Sequence, residues 1–188
     1  TPDEKYVIAV GGEKKILVLD LLTGETVKEV PTQIEDWIYS CAVMPDNKTV
    51  ILRYRKNLQV YDIETGEFVK EITGINEYLS SEDFNLGRII VSKAEPTFYF
   101  SIGIEFQSEI KKLLVKYDIE NDTFLDKIEL IGNIHDIALS NDEKYIATTE
   151  NGSNQYDGGC ICLLDTESWE RFNLKNQCHD QTIHGLAF

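Results

Sequence analysis

The stretch VLDLLTGETVKEV, residues 18–30, returns 42 residues later as VYDIETGEFVKEI, residues 60–72, with ten of thirteen positions identical or close. A duplicated sentence of this kind marks a structural unit used more than once, because a catalytic constellation needs its residues once. The Asp after each apolar run recurs as Asp20, Asp62, Asp118 and Asp165, at intervals of 42, 56 and 47 residues. A second landmark precedes each: TPDEKYVIAV at 1, MPDNKTVILR at 44, NLGRIIVS at 85 and SNDEKYIATT at 140. From each Asp to the next landmark Lys or Arg (Asp20 to Lys48, Asp62 to Arg88, Asp118 to Lys144) the spacing is 26 to 28 residues. The length variation falls on this alignment between the second and third strands of a unit, as loops of a repeat protein vary between constant strands.

Each unit predicts four short strands. An apolar run (IYSCAVM, IHDIALS, IHGLAF) leads into a turn in which Pro presets φ and Asp accepts nearby backbone N–H groups. A second strand follows (YVIAV, TVILRY, RIIVS, YIATT), then a third ending in the marker Asp, then a fourth (ETVKEV, EFVKEI, TFLDKIEL, WERFNL). Val, Ile, Tyr and Thr dominate these runs and turn residues separate them, whereas helical spacing is scarce. Gly24 and Gly66 fit the positive-φ position of a tight hairpin. Asp20, Asp62, Asp118 and Asp165 fit a turn-closing role, their carboxylates taking up the turn's own N–H groups. The reading is all-β: one domain over 1–188, in units of about 1–44, 45–86, 87–140 and 141–188.

Composition narrows the function classes. The formal charge of −15 opposes nucleic acid and anionic membrane and favours a basic protein or peptide as partner. No apolar run is long enough to span a bilayer, and the chain opens on Thr-Pro-Asp-Glu-Lys with no basic-then-apolar leader. Four cysteines in 188 residues do not resemble a disulfide scaffold, which points to a reducing, intracellular compartment. Cys160 and Cys162, two apart on a strand, lack the knuckle spacing of a zinc site even with Cys178, His179 and His184 following. They read as packing residues, and no metal or cofactor is expected.

Four-stranded units at this period resemble the blades of WD-repeat β-propellers, with some likeness to the YVTN propellers. VLD, VYD, KYD and LLD stand where the WD family has Trp-Asp, MPDNK and TPDEK where it has Ser-Pro-Asp-Gly-Lys, and CHDQTIHGLAF resembles its Gly-His lead into the first strand, with His179 at the His position. No unit carries Trp before the marker Asp, and Glu13, Arg55, Lys111 and Gly158 replace the Asp before the third strand, so the family's buried Asp–His network is not expected. The resemblance implies a propeller of four-stranded antiparallel blades. About four blades are present, as an open arc of a larger propeller rather than a closed four-bladed ring. The remaining blades, a partner chain or self-association would then cover the open strand edges.

The resemblance also implies a non-catalytic scaffold for protein–protein interaction. No nucleophile motif or phosphate-cradling glycine loop is present, and GGEKK at 11–15 reads as a strand-to-strand turn. An enzyme or small-ligand propeller with a site at the channel mouth is the alternative, and a sensor part of a larger multidomain protein a third. His135 and His184, at equivalent places in two first strands, would lie near the channel as satisfied structural imidazoles. Asp36, Trp37, Arg53 and Arg55 are expected on a partner-facing rim. The segment EPTFYFSIGIEF reads as an insertion outside the regular blade, with Phe98, Tyr99, Phe100 and Phe106 as further contacts.

Overall fold

The computed structural model describes residues 1–55, 57–73, 88–106, 109–130, 132–151, 159–173 and 183–188. Among the described residues, fifteen strands form four antiparallel meanders in chain order. The first sheet holds β1 (Tyr6–Ala9), β2 (Lys15–Asp20) and β3 (Thr26–Pro31). The second holds β4 (Ile38–Val43), β5 (Thr49–Tyr54), β6 (Asn57–Asp62) and β7 (Glu67–Ile72). The third holds β8 (Ile89–Val91), β9 (Thr97–Phe106), β10 (Glu109–Asp118) and β11 (Thr123–Leu130), and the fourth β12 (Asn133–Leu139), β13 (Tyr145–Asn151), β14 (Gly159–Asp165) and β15 (Arg171–Asn173). No helix of the described residues is long and apolar enough to cross a membrane.

The recurring corner is built from local hydrogen bonds. Asp20 Oδ1 accepts the N–H groups of Leu22 and Thr23 at 2.9 and 2.8 Å. Asp62, Asp118 and Asp165 do the same for the residues two and three further on. Gly24 and Gly66 sit at φ of 72° and 85° and donate to the carbonyls of Asp20 and Asp62, while Asp122 and Trp169 take similar left-handed positions in the later corners. These bonds hold the carboxyls of Asp20, Asp118 and Asp165 below the usual Asp range, backbone N–H groups being the main cause.

The sheets stack face to face through three apolar interfaces. Ile16, Val18 and Val30 meet Val50, Leu52 and Tyr61; Ile51, Leu58 and Val60 meet Phe98, Phe100 and Val115; Tyr99 and Leu114 meet Ile146, Cys162 and Leu164. A middle strand therefore buries both faces. In β5, Val50 and Leu52 point to the first sheet and Ile51 to the third, following the two-residue period of a strand. No core cluster among the described residues joins the fourth sheet to the first, so the stack is an open arc. The innermost strands β4 and β12 both neighbour β8, which places all three along the arc's axis.

Cations tie adjacent sheets together at their outer strands. Lys28 Nζ donates to Glu64 O across the first interface at 2.5 Å, and its repeat-equivalent Lys70 donates to Ile119 O across the second. Arg171 Nη2 reaches Glu129 O across the third at 3.0 Å. The repeated Val-Lys-Glu thus supplies a bridging lysine in the first two blades, a role that the sequence pattern does not disclose.

The third unit corrects the sequence alignment. Ser92 N–H donates to Thr97 O at 2.9 Å, the same bond that Met44 makes to Thr49 and Ser140 to Tyr145. The true landmark is therefore Ser-Lys-Ala-Glu-Pro-Thr from 92, not NLGRIIVS, and the unit edge moves from 87 to about 93. Ile89–Val91 is a first strand, and Thr97–Phe106 is the blade's regular second strand, not an insertion. The turn lacks the Pro-Asp signature because Ala94 stands at the Asp46 position and Ser92 Oγ, two residues earlier, supplies an acceptor instead, taking the N–H groups of Ala94 and Glu95. With this register the landmarks at 44, 92 and 140 are evenly spaced by 48 residues.

Candidate functional site at the mouth of the arc

Aligned on those landmarks, β4 and β12 begin with equivalent trios, Ile38-Tyr39-Ser40 and Ile134-His135-Asp136, and the segment 183–188 opens on the similar string Ile183-His184-Gly185. In β4 and β12 the register shifts just after the Ile. Such a bulge turns a side chain out of the ladder. Tyr39 is accordingly 55% exposed, and His135 and His184 are exposed with their rings 5.3 Å apart. Partial desolvation by its neighbours, and then His184, hold the His135 imidazole below its ordinary value.

Asp136 organises this end of the arc. It is buried, and its Oδ1 accepts Arg88 Nη1 and Ile137 N–H, both at 3.0 Å. Oδ2 accepts the N–H of Leu186 at 2.7 Å, and Thr149 Oγ1 accepts the N–H groups of His135 and Asp136. One carboxylate thus connects the lead-in to β8, the start of β12 and the segment 183–188. Sequence reasoning missed both members of this pair. Arg88 and Asp136 are 48 residues apart, one repeat period, so the corrected register would have placed opposite charges at equivalent points of neighbouring blades.

The second blade fills the same two positions differently. Ser40 replaces Asp136, and Arg53 stands where Thr149 closes the bulge, paired across the ladder with Ser40. The Arg53 guanidinium lies 5.3 Å from the centre of the Tyr39 ring, a cation–π arrangement. Its Nε is buried without a hydrogen-bond partner among the described residues, and burial lowers its pKa. Arg55, Arg88 and Arg171 are each ion-paired, to Asp36, Asp136 and Glu150, whereas Arg53 has no ion pair among the described residues.

Trp37 completes the patch on the other side of the buried Ile38. Its ring is 58% exposed and rests on Gly12, where an added Cβ would lie 2.7 Å from Trp37 Cζ3. Gly12 gives the indole a flat seat, and a side chain there would push the ring aside. Ile38 N–H donates to Gly11 O at 3.2 Å, fixing the start of β4 against the β1–β2 turn. The Asp36 carboxylate accepts the N–H of Trp37 at 2.7 Å and pairs with Arg55.

The structure thus gathers Asp36, Trp37, Arg53 and Arg55 at one rim. It does not gather the aromatic segment with them. Phe98 and Phe100 are fully buried against the second sheet, stacked with centroids 5.4 Å apart, and Tyr99, 3% exposed, faces the fourth sheet beside Trp169. These three are core residues, because a middle strand of a stacked sheet has no solvent face. The side chain of Phe106, like Cys178 and His179, lies outside the described residues. Cys162 is buried and Cys160 Sγ lies 3.3 Å from Glu150 O.

No protein-family model matches the sequence, and no curated protein matches it. Among solved structures, a chain of Kuenenia stuttgartiensis hydrazine synthase superposes with a TM-score of 0.67 at 17% identity, covering 96% of this chain and 54% of that one. The fold is a β-propeller arc. The chain spans about half the length of that hydrazine synthase chain, and at this identity the likeness concerns the fold alone.

Proposed function

We propose that this propeller arc is a non-catalytic platform that binds a partner protein at the rim formed by Trp37, Tyr39 and Arg53. The observation that carries the reading is the pair of large aromatic side chains, each more than half exposed, on either side of one buried isoleucine. Aromatic groups and arginine supply most of the energy of protein interfaces, and a rim held by strand ladders presents them with little entropy left to lose. The resemblance of the repeats to WD blades supports the same role. Asp136, a buried acid at the mouth, divides its oxygens between Arg88 and backbone N–H groups, an arrangement that positions strands.

The test is capture of partners from an extract of the source cells on the immobilised protein. Loss of the captured species with Trp37→Ala and Tyr39→Ala, and their retention with Val69→Ala on the outer strand β7, is the expected result. Unchanged capture by the Trp37→Ala/Tyr39→Ala double variant, with an unaltered circular dichroism spectrum, refutes the reading.

A further inference from the structure

We infer that the rim receives a carboxylate side chain, an Asp or Glu beside an apolar residue in a partner peptide, with Arg53 as its counterion. This rests on the platform reading above and adds the chemistry of the partner. The chain carries 33 acidic against 18 basic side chains, and three of its four arginines, Arg55, Arg88 and Arg171, are paired with carboxylates. Arg53 is the one arginine without an ion pair among the described residues. Its Nε–H is buried without a hydrogen-bond partner among the described residues, so no internal acceptor holds this edge of the guanidinium. The Tyr39 ring holds the guanidinium in place on one face. Planar guanidinium groups take carboxylates through two parallel hydrogen bonds.

Trp37 and Tyr39 provide apolar area on the same rim, which suits a hydrophobic neighbour of that carboxylate. A monoanion is favoured over a phosphate dianion, because the surrounding −15 chain opposes each added negative charge. The net charge attracts basic partners over distance. Contact at Arg53 is decided within a few ångströms, well inside a Debye length of about 8 Å.

The probe is a phage-displayed random peptide library panned on the full chain. Recovered peptides are expected to carry Asp or Glu next to an apolar residue. Their affinity should fall about ten-fold or more with Arg53→Gln, as loss of a charge-assisted hydrogen bond requires, and equally when the peptide's Glu is changed to Gln. Arg53→Lys, which keeps the charge and loses the planar fork, should fall between. Urea midpoints of the variants show that each is folded. Peptides that need Trp37 and Tyr39 but carry basic or uncharged residues overturn the carboxylate assignment and leave the platform standing. So do acidic peptides indifferent to Arg53→Gln. Peptides indifferent to Trp37→Ala and Tyr39→Ala, or no enrichment at all, overturn both.

Discussion

Phe100→Ala and Trp37→Ala separate the core of the third blade from the rim of the second. Phe100 is fully buried, stacks on Phe98 at 5.4 Å and meets Tyr117 edge-on at 6.4 Å. Truncating a buried phenylalanine costs about 3–5 kcal/mol. Each aromatic pair that is lost contributes about 0.5–1.5 kcal/mol, which places this site near 4 kcal/mol. For a chain of this size a loss of 1 kcal/mol lowers Tm by about 2–4 °C, so Phe100→Ala should melt about 8–16 °C below the parent. Trp37, more than half exposed, should lose less than about 1 kcal/mol on truncation. Thermal melts followed by circular dichroism read the stability, and partner capture well below both melting points reads the function. Phe100→Ala should capture normally where it is folded, and Trp37→Ala should not. A Phe100→Ala protein that melts within about 2 °C of the parent yet loses its partner would falsify the burial argument.

Lys70→Met keeps the aliphatic stem but removes the bond to Ile119 O, and urea unfolding should show about 1 kcal/mol lost with the denaturant slope unchanged. Asp118 and Asp165 have folded pKa values below their unfolded ones, so their contribution is complete above the unfolded value and disappears as pH falls through the folded one. Asp165→Asn keeps the oxygen acceptor but does not titrate, so its urea midpoint should decline less on acidification than the parent's. Cys162 is 1% exposed and its thiol is pushed up to about 12, chiefly by burial and then by Glu150. Native-state alkylation mapped by mass spectrometry should leave it unmodified, whereas labelling at the rate of an unfolded peptide would show the fourth sheet opening.

The corner was legible in the sequence because its bonds are local. Asp20 and Asp62 bind N–H groups two and three residues on, so the same short string gives the same turn wherever it occurs. The third blade was misread for the opposite reason. Ile-Ile-Val at 89–91 serves equally as a first or a second strand, and its place was decided by pairing Ile89 with Phe100 and Val91 with Phe98. Exposure was the other illegible quantity. Phe98, Tyr99 and Phe100 read as a contact strip, yet neighbouring sheets cover both faces of their strand. Trp37 keeps its exposure because it precedes β4 instead of lying within a stacked strand.

By itself the sequence determined the period, the strand-forming runs and the chemistry of each corner, since these depend on residues within a few positions of one another. Tertiary structure alone decided which faces are buried, which strand opens the third blade, that Asp136 would meet Arg88, and that Arg53 would have no counterion among the described residues. Those outcomes depend on groups brought together from about one repeat away or across a strand ladder. Their energies arise only when the sheets stack and water leaves the space between them.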